Sequence, residues 1–172
     1  LMAAQNAWAA AVDRRVLLTV AGLTVAAFLL RMWGAASQSI WVDETFSIAW
    51  AGVFEGMRIE RLTGNLQGPL HALGLFLWSR LFGAGELALR TFGVVLGTAA
   101  IPVTAWALLP IRPVERGLAV CALLAASPFH VWYSQEIRNY VLAMLLATVS
   151  LGAFLRLLAA PPGSRRTWLL YT

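Results

Sequence analysis

The sequence predicts an all-α fold of polytopic transmembrane helices, about four spans, with two juxtamembrane helices in the first external loop. Three observations predict it. Of the 172 residues, 60% are apolar and only 12% are charged, against about 25% charged in an average soluble domain. Mean hydropathy is +0.73. The apolar residues are also gathered into four long stretches, each near the roughly 17–25 residues needed to cross about 30 Å of hydrocarbon. A compact soluble fold is excluded, because so few polar groups could not cover its surface. The net charge of +5 comes from 13 basic residues, all Arg, scattered singly or in pairs. Nucleic-acid binding needs a clustered basic stripe, so nucleic acid is not an expected partner. The single Cys, Cys121, sits in an apolar run and reads as a small buried hydrophobe.

The first span is expected at 16–32, preceded by Arg14 and Arg15, with Arg31 snorkelling at its far end. The second, at 92–109, carries no charge. The third, at 118–133, is also uncharged and has Pro128 near its end. The fourth, at 140–155, is closed by Arg156 and by the breaker Pro161-Pro162-Gly163. Between the first two spans lies a loop, 33–90, of mixed character. Within it, 45–54 reads as a short helix with Phe46, Trp50 and Phe54 on one face. A second helix is expected at 69–82, opened by Pro69 at a favourable first position. Its uncharged part runs from Pro69 to Ser79 and reaches about 16 Å, too short to span. Both short helices are therefore expected at the membrane interface, with Trp50 and Trp78 as anchors.

That choice sets the sidedness. With 69–82 not spanning, Arg14 and Arg15, Arg112 and Arg116, and Arg156, Arg165 and Arg166 all fall on one side. The positive-inside rule makes that side cytoplasmic and the N-terminus with it. The loop 33–90 and the turn 133–139 then share the outer face.

Acidic residues are scarce, so their positions carry information. Asp13 and Glu115 lie beside Arg in cytoplasmic loops. Asp43-Glu44 lies within the apolar run Ser39-Ile40-Trp41-Val42-Asp43-Glu44-Thr45-Phe46, and Glu136 lies directly between two spans. Ionisable groups at a membrane boundary are candidates for function. Two plainer readings stand beside that one. Asp43 could cap a helix beginning near Glu44, and Glu136 and Arg138 could form an interfacial charge pair worth less than about 1 kcal/mol.

Several motifs occur in order: Trp41-Val42-Asp43-Glu44; Gly68-Pro69-Leu70; Leu81-Phe82-Gly83 with Glu86 and Arg90; Ser127-Pro128; and Tyr133-Ser134-Gln135-Glu136-x-Arg138-x-Tyr140. Together they resemble bacterial members of glycosyltransferase family 39, the GT-C membrane enzymes related to protein O-mannosyltransferases and lipid A aminoarabinose transferases. The resemblance covers about residues 31–156. It implies that 1–172 is the N-terminal part of a larger GT-C transmembrane domain in a bacterial inner (plasma) membrane. The implied function is transfer of a sugar from a polyprenyl-phosphate donor to an acceptor on the outer face, with inversion at the anomeric carbon.

In such enzymes the acidic pair of the first external loop includes the catalytic carboxylate, which matches Asp43 with Glu44 beside it. An acceptor hydroxyl needs a base in line with the donor carbon, and the departing phosphate needs a cation. Asp43 is then the base, with Glu44 and Glu136 holding the acceptor or an ion. Arg138 faces the phosphate, followed by Arg58 and Arg61. Gln67 stands where related branches carry a His or Glu before the Pro of the juxtamembrane helix, and an amide is a poor metal ligand. No metal site and no definite cofactor are assigned, with a divalent cation left open. Tyr140 stands about where those branches carry an Asp. Expected partners are membrane lipid, the polyprenyl-phosphate sugar and, as an open case, other membrane subunits. The alternative is a non-catalytic membrane subunit that keeps a GT-C-like scaffold in a larger complex.

Overall fold

The computed structural model describes residues 13–58, 68–109 and 113–158, and every regular element among them is α-helical. The helices are α1 (Arg14–Met32), α2 (Val42–Ala51), α3 (Pro69–Phe82), α4 (Glu86–Leu108), α5 (Val114–Ala126), α6 (Pro128–Gln135) and α7 (Tyr140–Leu158). Three of them, α1, α4 and α7, are long and apolar enough to cross a membrane, and α5 with α6 makes a fourth if the pair is one broken span. This is the helix complement of a multi-pass membrane protein.

Several boundaries differ from the sequence expectation, each for an identifiable reason. The third span is not one helix. Pro128 has no N–H to donate and disfavours helical geometry at the residue before it. Ser127 is accordingly extended (φ −60°, ψ 115°) and a new helix starts at Pro128. The second span begins at Glu86 rather than Phe92, because the charges of Glu86 and Arg90 neutralise each other one turn apart. The short helix expected at 45–54 lies at Val42–Ala51 instead. It stops at Gly52, which adopts the left-handed conformation (φ 65°, ψ 33°). Gly52 N–H donates to the Ala49 carbonyl and Val53 N–H to the Ile48 carbonyl, the paired bonds of a Schellman C-cap. Phe54 therefore lies beyond the helix. The expected helix at 69–82 is present with those bounds and with Pro69 first.

The chain divides into two compact units. One comprises residues up to 27, 98–127 and 144 onward. Its core is Ala27, Ile101, Ala105, Leu109, Cys121 and Ala125, bordered by Val16, Val20 and Leu23. Cys121 is fully buried here. Arg156 lies over the Trp106 ring, 4.3 Å from its centroid, and donates to the Trp106 carbonyl.

The other unit comprises residues 28–97 and 128–143. Helices α2 and α3 pack together in it, and its core is Ile48, Ala51, Val53, Ala72, Leu75, Leu89 and Ile137. On α3 the buried residues His71, Ala72, Leu75 and Ser79 share one face, while Leu70, Leu73, Leu77 and Leu81 are exposed on another. The Trp78 indole donates to the Ala88 carbonyl at 2.8 Å.

Candidate functional site

The site is built from the N-terminal end of α2 upward. Trp41 precedes the helix in an extended conformation, and Glu44, three residues on, reaches back to accept the Trp41 backbone N–H at 3.0 Å. This is the carboxylate half of a capping box. An indole cannot accept a hydrogen bond, so the reciprocal half is absent. Asp43 is therefore not the cap: it sits in the first turn, favourable at the positive end of the helix dipole, and its side chain is 70% exposed.

Glu44 is buried. Arg90 grips it with Nη1 on Oε1 at 2.9 Å and Nη2 on Oε2 at 3.0 Å, and both side chains are 2% exposed. Oε1 also accepts the Ile137 N–H at 2.8 Å. Each carboxylate oxygen thus receives two protein donors. With its oxygens so engaged, Glu44 ties α2 to the residues after α6. Arg90 completes that tie by donating to the carbonyls of Gln135 at 2.7 Å, Gln38 at 3.1 Å and Ser39 at 3.3 Å, and to Glu86 at 3.2 Å.

Arg31 does not snorkel. It is wholly buried, donating from Nη2 to His130 Nδ1 at 3.0 Å and from Nε to Ser134 Oγ at 3.3 Å. A guanidinium only donates, so His130 accepts at Nδ1 and carries its proton on Nε2. The Gln135 amide then donates to the carbonyls of Arg31 and Trp33 at 3.0 and 2.7 Å. Two buried arginines therefore hold the end of α6.

Held in this way, the residues after α6 lie against the start of α2. Trp41, Asp43, Glu44, Tyr133, Glu136, Arg138 and Tyr140 line one open cleft of about 200 Å³. Arg138 donates to the Asp43 carbonyl at 3.0 Å and to the Tyr140 hydroxyl at 3.1 Å, and its Nη2 is 3.8 Å from the Asp43 carboxylate. The guanidinium also lies over the Tyr140 ring, and Tyr133 meets that ring edge-on at 4.9 Å. The Trp132 indole donates to Glu136 Oε1 at 2.7 Å, which orients that carboxylate. Beneath the turn, His71 is buried beside Arg138 and 5.6 Å from the Phe92 ring. Burial first, and then the neighbouring guanidinium, push its imidazole down to about 4, against a smaller upward pull from a hydrogen bond to the Arg138 backbone.

Of the residues singled out in the sequence, the structure brings Asp43, Glu44, Glu136, Arg138 and Tyr140 together at the cleft. Arg58 is exposed and does not line it. Arg61 and Gln67 lie outside the described residues. The sequence does not pair Arg31 with His130 or Arg90 with Glu44, as the structure does. The available signal was the cost of charge in apolar sequence: an Arg among aliphatic residues must find acceptors. Chemically the cleft offers an exposed carboxylate beside a guanidinium, a second carboxylate oriented by Trp132, and three aromatic walls. Among the described residues no three His, Cys, Asp or Glu side chains gather as a metal-ligand set. Comparison of the chain with protein-family models, with curated proteins and with solved structures found no match.

Proposed function

We propose that this chain forms the catalytic N-terminal part of an inverting GT-C glycosyltransferase in a bacterial inner membrane, using a polyprenyl-phosphate sugar at the outer face. Its N-terminus is cytoplasmic, and α2 and α3 lie at the outer interface. One observation carries the reading. Asp43 and Arg138, 95 positions apart in sequence, meet at one cleft together with Glu136 and Tyr140.

In this mechanism the acceptor hydroxyl gives its proton to the exposed Asp43 carboxylate while its oxygen forms a bond to the donor's anomeric carbon. The bond from that carbon to the phosphate oxygen breaks, and the electron pair leaves with the phosphate. Arg138 stabilises the anion that departs. Two of the five N–H donors of a guanidinium are engaged by Asp43 and Tyr140, and the remaining Nη hydrogens are free to meet a phosphate oxygen. Glu136, oriented by Trp132, accepts a second hydroxyl of the bound acceptor. Glu44 and Arg90 are the frame rather than the chemistry.

The test is Asp43→Asn, assayed in membranes for transfer from a polyprenyl-phosphate sugar. Loss of a general base predicts a rate lower by about 10²–10⁴-fold. The exposed position of Asp43 predicts an unchanged melting temperature. Full retention of transfer overturns the assignment.

A further inference from the structure

We infer that Gly93 and Gly97 of α4 form the seat that sets the position of residues 134–138, and so act as positioning residues for the transfer proposed above, on which reading their functional role rests. The two glycines are four residues apart and therefore share one face of the helix. A G-x-x-x-G pattern in an apolar helix is usually a surface for close approach of another helix. Here it receives the last turn of α6 and the residue that follows it. A Cβ added at Gly93 would stand 2.7 Å from the Ser134 carbonyl oxygen and 3.1 Å from that of Glu136. A Cβ added at Gly97 would collide with Ser134 Oγ, would stand 2.8 Å from Ser134 Cβ and would crowd Arg31 Nε at 3.2 Å. By contrast, Gly22 on α1 has open space where its Cβ would be.

The obstacles at the two positions differ in kind. At Gly93 they are main-chain oxygens, which no side-chain change removes. At Gly97 they are mainly one side chain. The displaced backbone has little freedom, because Arg90 holds the Gln135 carbonyl at 2.7 Å and Glu44 holds the Ile137 N–H at 2.8 Å. A methyl group at either glycine must therefore tilt the stretch carrying Glu136 and Arg138, and with it the guanidinium that meets Asp43. Misplacement of reacting groups by about 1 Å costs on the order of 10²-fold in rate.

The experiment compares Gly93→Ala, Gly97→Ala, Ser134→Gly, Gly97→Ala with Ser134→Gly, and Gly22→Ala in the full chain, using two readouts. The first is kcat and KM for transfer from a polyprenyl-phosphate sugar. The second needs no activity: the alkylation rate of Glu136→Cys in a Cys121→Ala background, with each glycine change added. Gly93→Ala and Gly97→Ala are expected to lower kcat by about 100-fold with KM nearly unchanged, and to alter the alkylation rate clearly. In Gly97→Ala with Ser134→Gly both readouts are expected to match those of Ser134→Gly alone, and Gly22→Ala is expected to alter neither. A folded Gly93→Ala with wild-type kcat and alkylation rate overturns the inference. If Gly93→Ala does not fold, a Gly97→Ala with Ser134→Gly that remains clearly worse than Ser134→Gly alone overturns it instead. Retained transfer in Asp43→Asn would sink the proposed chemistry, while the alkylation readout would still decide the seat.

Discussion

Arg90 and Glu44 meet as a buried two-pronged ion pair, at 2.9 and 3.0 Å, across 46 positions of sequence. Around that pair converge the start of α2, the strap at Gln38 and Ser39, and the residues that follow α6. The neighbouring residue Asp43 is left exposed at the cleft. One carboxylate of the pair thus builds the site and the other faces it.

The stability of the fold should depend strongly on the charge of Glu44 and hardly at all on that of Asp43. Glu44→Gln takes from Arg90 its buried carboxylate partner and leaves only the partly exposed Glu86 opposite it; breaking a buried pair costs up to about 3–5 kcal/mol. Asp43→Asn, on the exposed side, should change stability by less than about 0.5 kcal/mol. Thermal unfolding of the two variants in detergent checks this. Arg90→Lys should be as damaging as Glu44→Gln, because an ammonium cannot reproduce the planar fork.

His71 gives a pH dependence whose sign follows from burial. Its folded value is about 4, below the ordinary 6.5, so on acidification the unfolded chain takes up the proton first. The contribution is fully present above pH 6.5 and is lost as the pH falls toward 4. Its span is about 3 kcal/mol at the order-of-magnitude level. His71→Gln keeps a donor for the Arg138 backbone but does not titrate. The difference between wild-type and variant melting temperatures should therefore be flat above pH 7 and should move in the variant's favour from pH 6.5 to 4. An equal slope in both proteins would remove His71 from the account.

Gly52 ends α2 in a conformation that suits only glycine. At φ 65° any side chain is strained, and a Cβ there would lie 2.6 Å from the Gly56 carbonyl carbon. Gly52→Ala should cost about 2–3 kcal/mol, read as a lower melting temperature. Gly22→Ala, in an open helical position, should be neutral or mildly stabilising.

The helices were largely legible in the sequence. The apolar stretches and the paired arginines at their ends anticipate α1, α4 and α7 to within a turn or two. Pro69 marks the start of α3 because a proline is best tolerated in the first turn of a helix, although α4 also carries Pro102 in its interior. The errors have local causes that can also be named. Pro128, expected near the end of a span, instead starts α6 by the same stereochemistry that starts α3. Phe46, Trp50 and Phe54 suggested a helix to 54, but the left-handed glycine at 52 outweighs that spacing.

Composition and spacing by themselves determined the all-helical fold, the membrane-length helices and the short segments between them, because these depend on interactions within a few residues of chain. They also marked Asp43, Glu136 and Arg138 as charges in costly places. Only the tertiary structure decided which charges are framework and which are open. Glu44 and Asp43 are adjacent and chemically alike, and they differ because Arg90 and Ile137, from distant parts of the chain, close on one and not the other. Arg31 resembles a residue reaching for the membrane surface until His130 and Ser134 are brought to it. Burial of a charge depends on acceptors supplied from elsewhere in the fold, and hydrogen bonds across some 40 to 100 positions leave no periodic trace in the sequence.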